Sequence, residues 1–301
     1  MNRSPSNINT NTDTNSGTDP LFSTLAIVGV GLMGGSIAAA AKASAAASRV
    51  IGVGRNAERL EAAQSRGLID GFDLDLAAAS AADIVVVCTP VNEIAGHVRT
   101  IAAASSSGLI TDAGSTKRRL CESLAELSAA GRFVGSHPMA GSEKQGFEHA
   151  SAEMLAGRVC VVTPTENTPS NSVDRVTAFW TRLGMRTLTM SPADHDRAVA
   201  EASHLAHVVA AAVVNTLNPD VSPLCATGFR DTTRVAAGDP HLWGPILMEN
   251  REEIAAALDR FVQQLRFAAR NIRFGDEAAI RGWLEQARDR RGNIMSSQSG
   301  S

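Results

Sequence analysis

Apolar residues in the first two thirds of the chain come in short unbroken runs, each ending in glycine, proline or a small polar residue. Leu25 to Val30, Val50 to Gly54, Asp83 to Cys88, Leu109 to Asp112 and Arg132 to Gly135 are the first five. Short apolar runs without alternation predict strands buried on both faces, as in a parallel sheet. Between the first two lies Met33 to Ala47, dense in alanine and predicted to be helical. Arg158 to Thr163 and Met185 to Leu188 predict two late strands, with a helix over Val173 to Leu183 between them. Strands alternating with helices imply a doubly wound α/β sheet.

The pattern changes after Ser191-Pro192. From Asp194 onward the periodicity is almost purely helical. His195 to Leu217 reads as one long helix that Asn218-Pro219-Asp220 breaks. Glu249 to Ile272 reads as another, with Ile254, Leu258, Phe261 and Leu265 on one face. The expected organisation is a tail over 1–22, a sheet domain over 23–191, an all-helical domain over 192–291 and a polar tail over 292–301.

Composition narrows the function classes. The 301 residues suffice for two domains. The net charge is −3 and the pI about 6.2, so nothing points to nucleic acid or an anionic membrane. No run is read as reaching the roughly 18 apolar residues of a membrane span. The first 22 residues, rich in Asn, Thr and Ser, lack the apolar core of a secretory signal. They read as a disordered tail. Cys88, Cys121, Cys160 and Cys225 show no paired spacing, which fits a reduced cytoplasmic setting. The helical half is rich in alanine and apolar residues, with too little sheet to cover it. That composition predicts a homodimer built on helix faces.

Gly29-Val30-Gly31-Leu32-Met33-Gly34 follows the first strand and opens a helix. In that context GxGxxG is a dinucleotide fingerprint. Gly29 permits the tight turn, Gly31 lets a pyrophosphate approach, and Gly34 lets helix and strand pack. Leu32 and Met33 lie inside the motif, at the helix start that receives the anion. Thr89 and Pro90, just after the third strand, are assigned to the same site. The second strand ends Gly54-Arg55-Asn56, without the acid that takes ribose hydroxyls in NAD enzymes. Arg55 suits a 2′-phosphate, so NADP is favoured and NAD remains possible. A solvent-facing loop arginine is the alternative.

Val134 to Lys144 reads as a strand end running into a shaped loop that presents His137. Imidazole is well placed to accept a proton near neutral pH. Asp112-Ala113-Gly114-Ser115-Thr116-Lys117 is a small-residue turn at a strand's C-terminal end, where open α/β sheets bind ligands. Ser203 and His207 are four apart on the long helix, His204 and His207 three apart, so they share a face. A zinc pair there lacks a third ligand with suitable spacing, and satisfied core histidines are the other reading. Arg234 sits in Gly228 to Arg234, followed by Asp239-Pro240-His241-Leu242-Trp243. Asp239-Pro240 also fits a plain helix start, and Arg234 a structural ion pair with Asp231.

Taken together these segments resemble the prephenate/arogenate dehydrogenase family of tyrosine biosynthesis, over roughly Leu25 to Arg273. The resemblance rests on GVGLMGGSIA, DAGSTK, GSHPMAGSEKQG, SHLAHVVA, GFRDTTRVAAGDPHLW and ILMEN, in that order. It implies a Rossmann-type sheet followed by a helical dimerisation domain. It also implies oxidation of a 4-hydroxycyclohexadiene with loss of its ring carboxylate. On that basis His137 accepts the hydroxyl proton, and Ser115 orients the imidazole and touches both substrate and nicotinamide. Arg234 pairs with a substrate carboxylate, and His207 holds the far end of the substrate, on the face that carries Ser203. Ser142 and Glu143 line the entrance, and Trp243 packs nearby. Arg55 departs from the family's frequent acid, and Ser142 stands where threonine is common. Two other classes remain open: an oxidoreductase of the β-hydroxyacid dehydrogenase kind, which centres catalysis on a helix-borne lysine, and a non-catalytic nucleotide-sensing module.

Overall fold

The computed structural model describes residues 19–141 and 144–299. Eight strands form one sheet: β1 (Phe22–Val28), β2 (Ala47–Val53), β3 (Gly71–Asp73), β4 (Ile84–Val87), β5 (Leu109–Asp112), β6 (Phe133–Pro138), β7 (Val159–Thr163) and β8 (Arg186–Thr189). Their order across the sheet is β3-β2-β1-β4-β5-β6-β7-β8. All neighbours are parallel except β6 and β7, which are antiparallel, so that Pro138 lies opposite Cys160.

The continuous apolar runs divide between two cores. Leu25 and Ile27 of β1 and Ile84 and Val86 of β4 face one side, with Ile37, Phe179 and Trp180. Ala26 and Val28, with Val85 and Val87, face the other, with Ile94, Val98 and Leu120. Burial on both faces removes any need for a polar position in the strand.

The helices are α1 (Leu32–Ala43), α2 (Ala57–Ser65), α3 (Val91–Ala104), α4 (Arg118–Ser123), α5 (Ala125–Ala129) and α6 (Ser170–Arg182) around the sheet. Then follow α7 (Pro192–Val199), α8 (Leu205–Asn215), α9 (Thr227–Thr233), α10 (Pro240–Glu249), α11 (Arg251–Phe274) and α12 (Glu277–Ser299). The helix expected over His195 to Leu217 starts earlier, at Pro192. Pro192 occupies the first turn, and Ser191 Oγ accepts from the Asp194 N–H at 3.1 Å. A π-helical turn over Ala200–His204 joins α7 to α8. Such a turn adds a residue to the helix and re-aims the side chains beyond it.

Other expectations change. The run Pro192–Asn215 is long and apolar enough, by length and composition, to cross a membrane. The reading that no run reaches that length is therefore corrected. Its alanines and valines outweigh the polar groups that the same helix carries. The helix expected over Glu249 to Ile272 is divided at Asn250, whose side chain bonds inward instead of continuing a regular face. Most of the segment expected as a polar tail over 292–301 continues α12, which runs to Ser299. Residues 1–18 of the expected N-terminal tail lie outside the described residues, and Phe22 already begins β1.

The chain forms two compact units, divided after Arg251. The first holds the sheet and the helices through α10. The second holds most of α11 and all of α12, where Trp283 Nε1–H donates to Gln264 Oε1 at 3.0 Å. Its Leu265, Phe267, Ile272, Phe274 and Leu284 are exposed.

Candidate active site

A cavity of about 1080 Å3 opens in the first unit at the C-terminal ends of the parallel strands. Its wall brings together Gly31, Thr89, Pro90, Ser115, His137, Ser203, His207, Arg234 and Trp243, residues drawn from across the sequence. Position alone places the cavity where an open α/β sheet binds ligands.

His137 sits at the end of β6, nearly buried but reaching the cavity. Its Nδ1 lies 2.9 Å from Nε2 of His195, which is itself fully buried. His195 Nδ1 lies 2.7 Å from Asp196 Oδ1. Asp196 accepts two backbone N–H groups as well: Lys117 at 2.7 Å on Oδ1 and Arg118 at 2.9 Å on Oδ2. The Asp196 carbonyl accepts from Asn250 Nδ2 at 2.7 Å, and that same nitrogen lies 3.1 Å from His204 Nδ1.

The electrostatics follow from this wiring. Burial would raise the Asp196 carboxyl, but the bonds from His195, Arg118 and Lys117 outweigh it and hold the group below its ordinary value. Asp196 is therefore an ionised acceptor. Burial holds His137 well below the usual imidazole range, and His195, Lys117 and His204 reinforce the shift. Burial also lowers His195, against the pull of Asp196. It takes His204 down to about 4. These imidazoles are neutral at pH 7, the form a proton acceptor needs.

The Asp112 to Lys117 turn owes its shape to a buried ion pair. Lys117 Nζ donates to Asp112 Oδ2, and both side chains are fully buried. Asp112 also accepts from the Gly114 N–H at 2.8 Å and the Ser136 N–H at 3.1 Å. Ser136 Oγ in turn accepts from Trp180 Nε1–H at 3.0 Å. The turn presents Ser115 to the cavity. Among the described residues no hydrogen bond joins Ser115 to His137. The imidazole's partner is His195.

On the far wall His207 stacks on Trp243, with ring centroids 3.3 Å apart and planes inclined by 27°. Burial lowers His207; a bond to the Val235 backbone opposes this, and the charge of Arg234 adds to the lowering. Arg234 is thus close to His207, at the start of a short 3-10 turn, and is exposed at the cavity edge. Ser142 and Glu143 lie outside the described residues. Asp239 does begin a helix, accepting from the His241 N–H at 2.8 Å, and it also lines the cavity.

At the other end stands the glycine fingerprint. Gly29 has φ +91°, a backbone conformation that favours glycine. A Cβ on Gly34 would lie 2.2 Å from the Gly29 carbonyl oxygen, so only glycine allows α1 to pack there. A Cβ on Gly31 would meet nothing within 4 Å, leaving that backbone open to the cavity. The N-terminus of α1 has no side-chain cap and no acid in its first turn. Its free N–H groups and positive dipole end fit a pyrophosphate. Leu32 and Met33 form the helix start, and Met33 packs on the core. Arg55 is exposed in the turn after β2, and Asn56 caps α2 by accepting from the Arg59 N–H at 2.9 Å. Arg55 does not line the cavity.

Comparison with known proteins identifies the family. The family model "Prephenate dehydrogenase, nucleotide-binding domain" matches residues 37–189, and "Prephenate dehydrogenase, dimerization domain" matches residues 191–286. The chain belongs to the prephenate dehydrogenase family. The prephenate dehydrogenase of Bacillus subtilis is 31% identical over 287 residues, covering 92% of this chain and 77% of that protein. Among solved structures, A. aeolicus prephenate dehydrogenase in complex with hydroxyphenyl propionate and NAD+ has a TM-score of 0.83. It is 32% identical and covers 90% of this chain and 98% of its own. Synechocystis arogenate dehydrogenase has a TM-score of 0.76 at 30% identity, covering 90% and 99%. The chain is therefore a nicotinamide-dependent dehydrogenase with a Rossmann-like sheet domain and a helical domain.

Within this family member, sequence reading missed His195, Asp196 and Asn250. His195-Asp196 in the first turns of a helix reads as a solvated polar pair, yet both are buried. Asn250 lies inside the ILMEN segment, but nothing in the local pattern gives it a partner 54 residues away. The Asp112–Lys117 pair was within reach, since both residues bracket one recognised turn.

Proposed function

We propose that this chain oxidises prephenate, or its amino-acid counterpart arogenate, with loss of the ring carboxylate as carbon dioxide, in tyrosine biosynthesis. The observation that carries the reading is His137. It is neutral, hydrogen-bonded through Nδ1, and opens on the same cavity as Gly31 and Arg234. When bound at the fingerprint, the nicotinamide ring supplies the acceptor for a hydride. His137 takes the proton of the substrate hydroxyl as the carbinol carbon becomes a carbonyl. The electron pair of the broken bond to the carboxylate then completes the aromatic ring. Arg234 holds a substrate carboxylate, a task that suits a planar guanidinium. His207 and Trp243 form the wall for the far end of the substrate, with Ser203 beside them, and Ser115 lies at the seam between substrate and cofactor.

The β-hydroxyacid dehydrogenase alternative needs a helix-borne lysine. The chain's lysines are Lys42, Lys117 and Lys144, all before the helical domain. A nucleotide-sensing module would need no buried proton-accepting network beside its ligand.

NADP is the proposed cofactor, on the strength of Arg55 and the missing acid after β2. Homodimerisation through the helical domain is proposed from its match to a dimerization domain and the exposed apolar residues of α11 and α12. Light scattering at micromolar concentration should give twice the chain mass, and a monomer mass would rule it out. A cytoplasmic location is proposed for this biosynthetic role, and all four cysteines are free thiols. The test of function is a four-way assay of prephenate and arogenate with NAD and NADP, reading reduced cofactor and carbon dioxide together. One to one release of both products with at least one pair supports the reading. Reduced cofactor without carbon dioxide, or no turnover with any pair, overturns it.

A further inference from the structure

We propose that His195 and Asp196 are positioning residues that lock His137 in the tautomer protonated at Nδ1 and bare at Nε2. The inference deepens the reading of His137 as proton acceptor and rests on it. The proton positions follow outward from the carboxylate. Asp196 receives the His195 ring at 2.7 Å and two backbone N–H groups, Lys117 and Arg118. With no proton of its own, it can only accept. His195 must therefore carry its proton on Nδ1. A neutral imidazole has one N–H, so His195 Nε2 is a lone pair. The contact from that nitrogen to His137 Nδ1 is 2.9 Å. Two lone pairs cannot share it, so His137 supplies the proton from Nδ1. His137 Nε2 is then the unprotonated atom, on a ring that lines the cavity.

The two rings meet edge to face, with centroids 5.1 Å apart and an interplanar angle of 71°. The arrangement aims one N–H in the plane of the next ring. His195 and Asp196 are buried and do not line the cavity, so their effect passes through His137. They hold tautomer and ring orientation, as a buried carboxylate does when it fixes a catalytic imidazole. When Nε2 takes the hydroxyl proton, the positive charge that forms is shared along Nδ1–H to His195 and on to the Asp196 carboxylate. The O–H bond breaks, the N–H bond at Nε2 forms, and the electron pair stays on the substrate oxygen to become its carbonyl bond. The oxidant is the nicotinamide cofactor of the family reaction.

The experiment is two-bond 1H–15N correlation NMR on the full chain labelled at its seven histidines, with His137→Asn and His195→Gln spectra assigning the two rings. The expected wild-type pattern for His137 is a protonated Nδ1 and a bare Nε2. His137 found protonated at Nε2 overturns the proposal. Gln at 195 keeps an acceptor for His137 and a donor for Asp196, so it should retain the tautomer and most of the turnover. His195→Leu removes the acceptor. It should mix the His137 tautomers and lower kcat by about 10–100-fold, part of what a positioned base contributes. The KM for substrate and the Kd for cofactor should stay within about threefold, since neither ligand touches His195. An unchanged tautomer and kcat in His195→Leu, or an equal loss in Gln and Leu variants, also overturns it. The ring spectra need no turnover, so a chain that oxidised neither substrate would fail the functional reading alone and leave this test standing.

Discussion

The two ends of the cavity are built on opposite plans. The fingerprint end is backbone: three glycines within six residues, a helix start without a cap, and a turn that a side chain would block. The imidazole end is side chain: His137, His195, Asp196, His204 and Asn250, where the adjacent His195–Asp196 pair is tied to the rest by bonds that span 46 to 58 residues of sequence. The first binds by leaving room. The second acts by filling it. A backbone site should therefore be lost by adding atoms, and a side-chain network by removing a donor or an acceptor, or by changing its protonation.

The largest effect expected is on stability against pH, and it belongs to the imidazole end. His204 is held neutral down to about 4, from an ordinary value of 6.5. An unfolded chain takes up that proton near 6.5, so stability is full above that pH and falls as pH drops toward 4. The loss from this one group is of order 3 kcal/mol. The lowered values of His137 and His195 act with the same sign in this range, and that of Asp196 only below its ordinary value of 3.8. Chemical denaturation at pH 7.5, 6 and 4.5 should show a falling midpoint. A flat profile would mean that these imidazoles are not buried and neutral.

The fingerprint end should fail by steric addition. Gly34→Ala sets a methyl group against the Gly29 carbonyl and Ile27. The expected cost is about 1–3 kcal/mol of stability, together with weaker cofactor binding, because backbone must move. Gly31→Ala, with open space around its Cβ, should leave stability unchanged and weaken cofactor alone. Similar melting temperatures for the two variants would erase the distinction.

Arg234 comes next. A desolvated pair would cost about 3–5 kcal/mol on truncation, but Arg234 is exposed at the cavity edge. Arg234→Ala should therefore raise the substrate KM by about 10–100-fold, the range for a charge-assisted bond of about 1.5–3 kcal/mol. Cofactor affinity should hold. An unchanged substrate KM would remove Arg234 from the site.

The smallest effect belongs to Arg55. An exposed guanidinium is screened by solvent, so its contact with a 2′-phosphate is worth about 1 kcal/mol or less, several-fold at most. Wild type should use NADP more efficiently than NAD, and Arg55→Ala should bring the two closer. Equal or better use of NAD by the wild type would show that the missing acid does not set the preference.

The same contrast explains what could be read from the sequence. β1, β4 and β5 were legible because burial on both faces leaves an unbroken apolar run. β3, three residues with one aromatic, carries no such run. The end of α12 was not legible because Arg290, Arg291, Asn293 and Ser296 face solvent, and a polar helix with no buried stripe looks like a tail. Gly29, Gly31 and Gly34 announce themselves because their requirement is local and conformational. His137 stood out because a proline and a glycine frame it. His195 escaped because its requirement is tertiary: its partners come from the end of β6 and from Asp196, and only folding brings the Lys117 and Arg118 N–H groups to that carboxylate.

The central claim is that His137 does the chemistry while the glycine end only binds. The most direct measurement is steady-state turnover of His137→Asn with saturating prephenate or arogenate, alongside cofactor Kd by fluorescence titration. The account predicts a kcat about 10²–10⁴-fold below wild type with cofactor affinity unchanged. A variant that turned over at near the wild-type rate would contradict it.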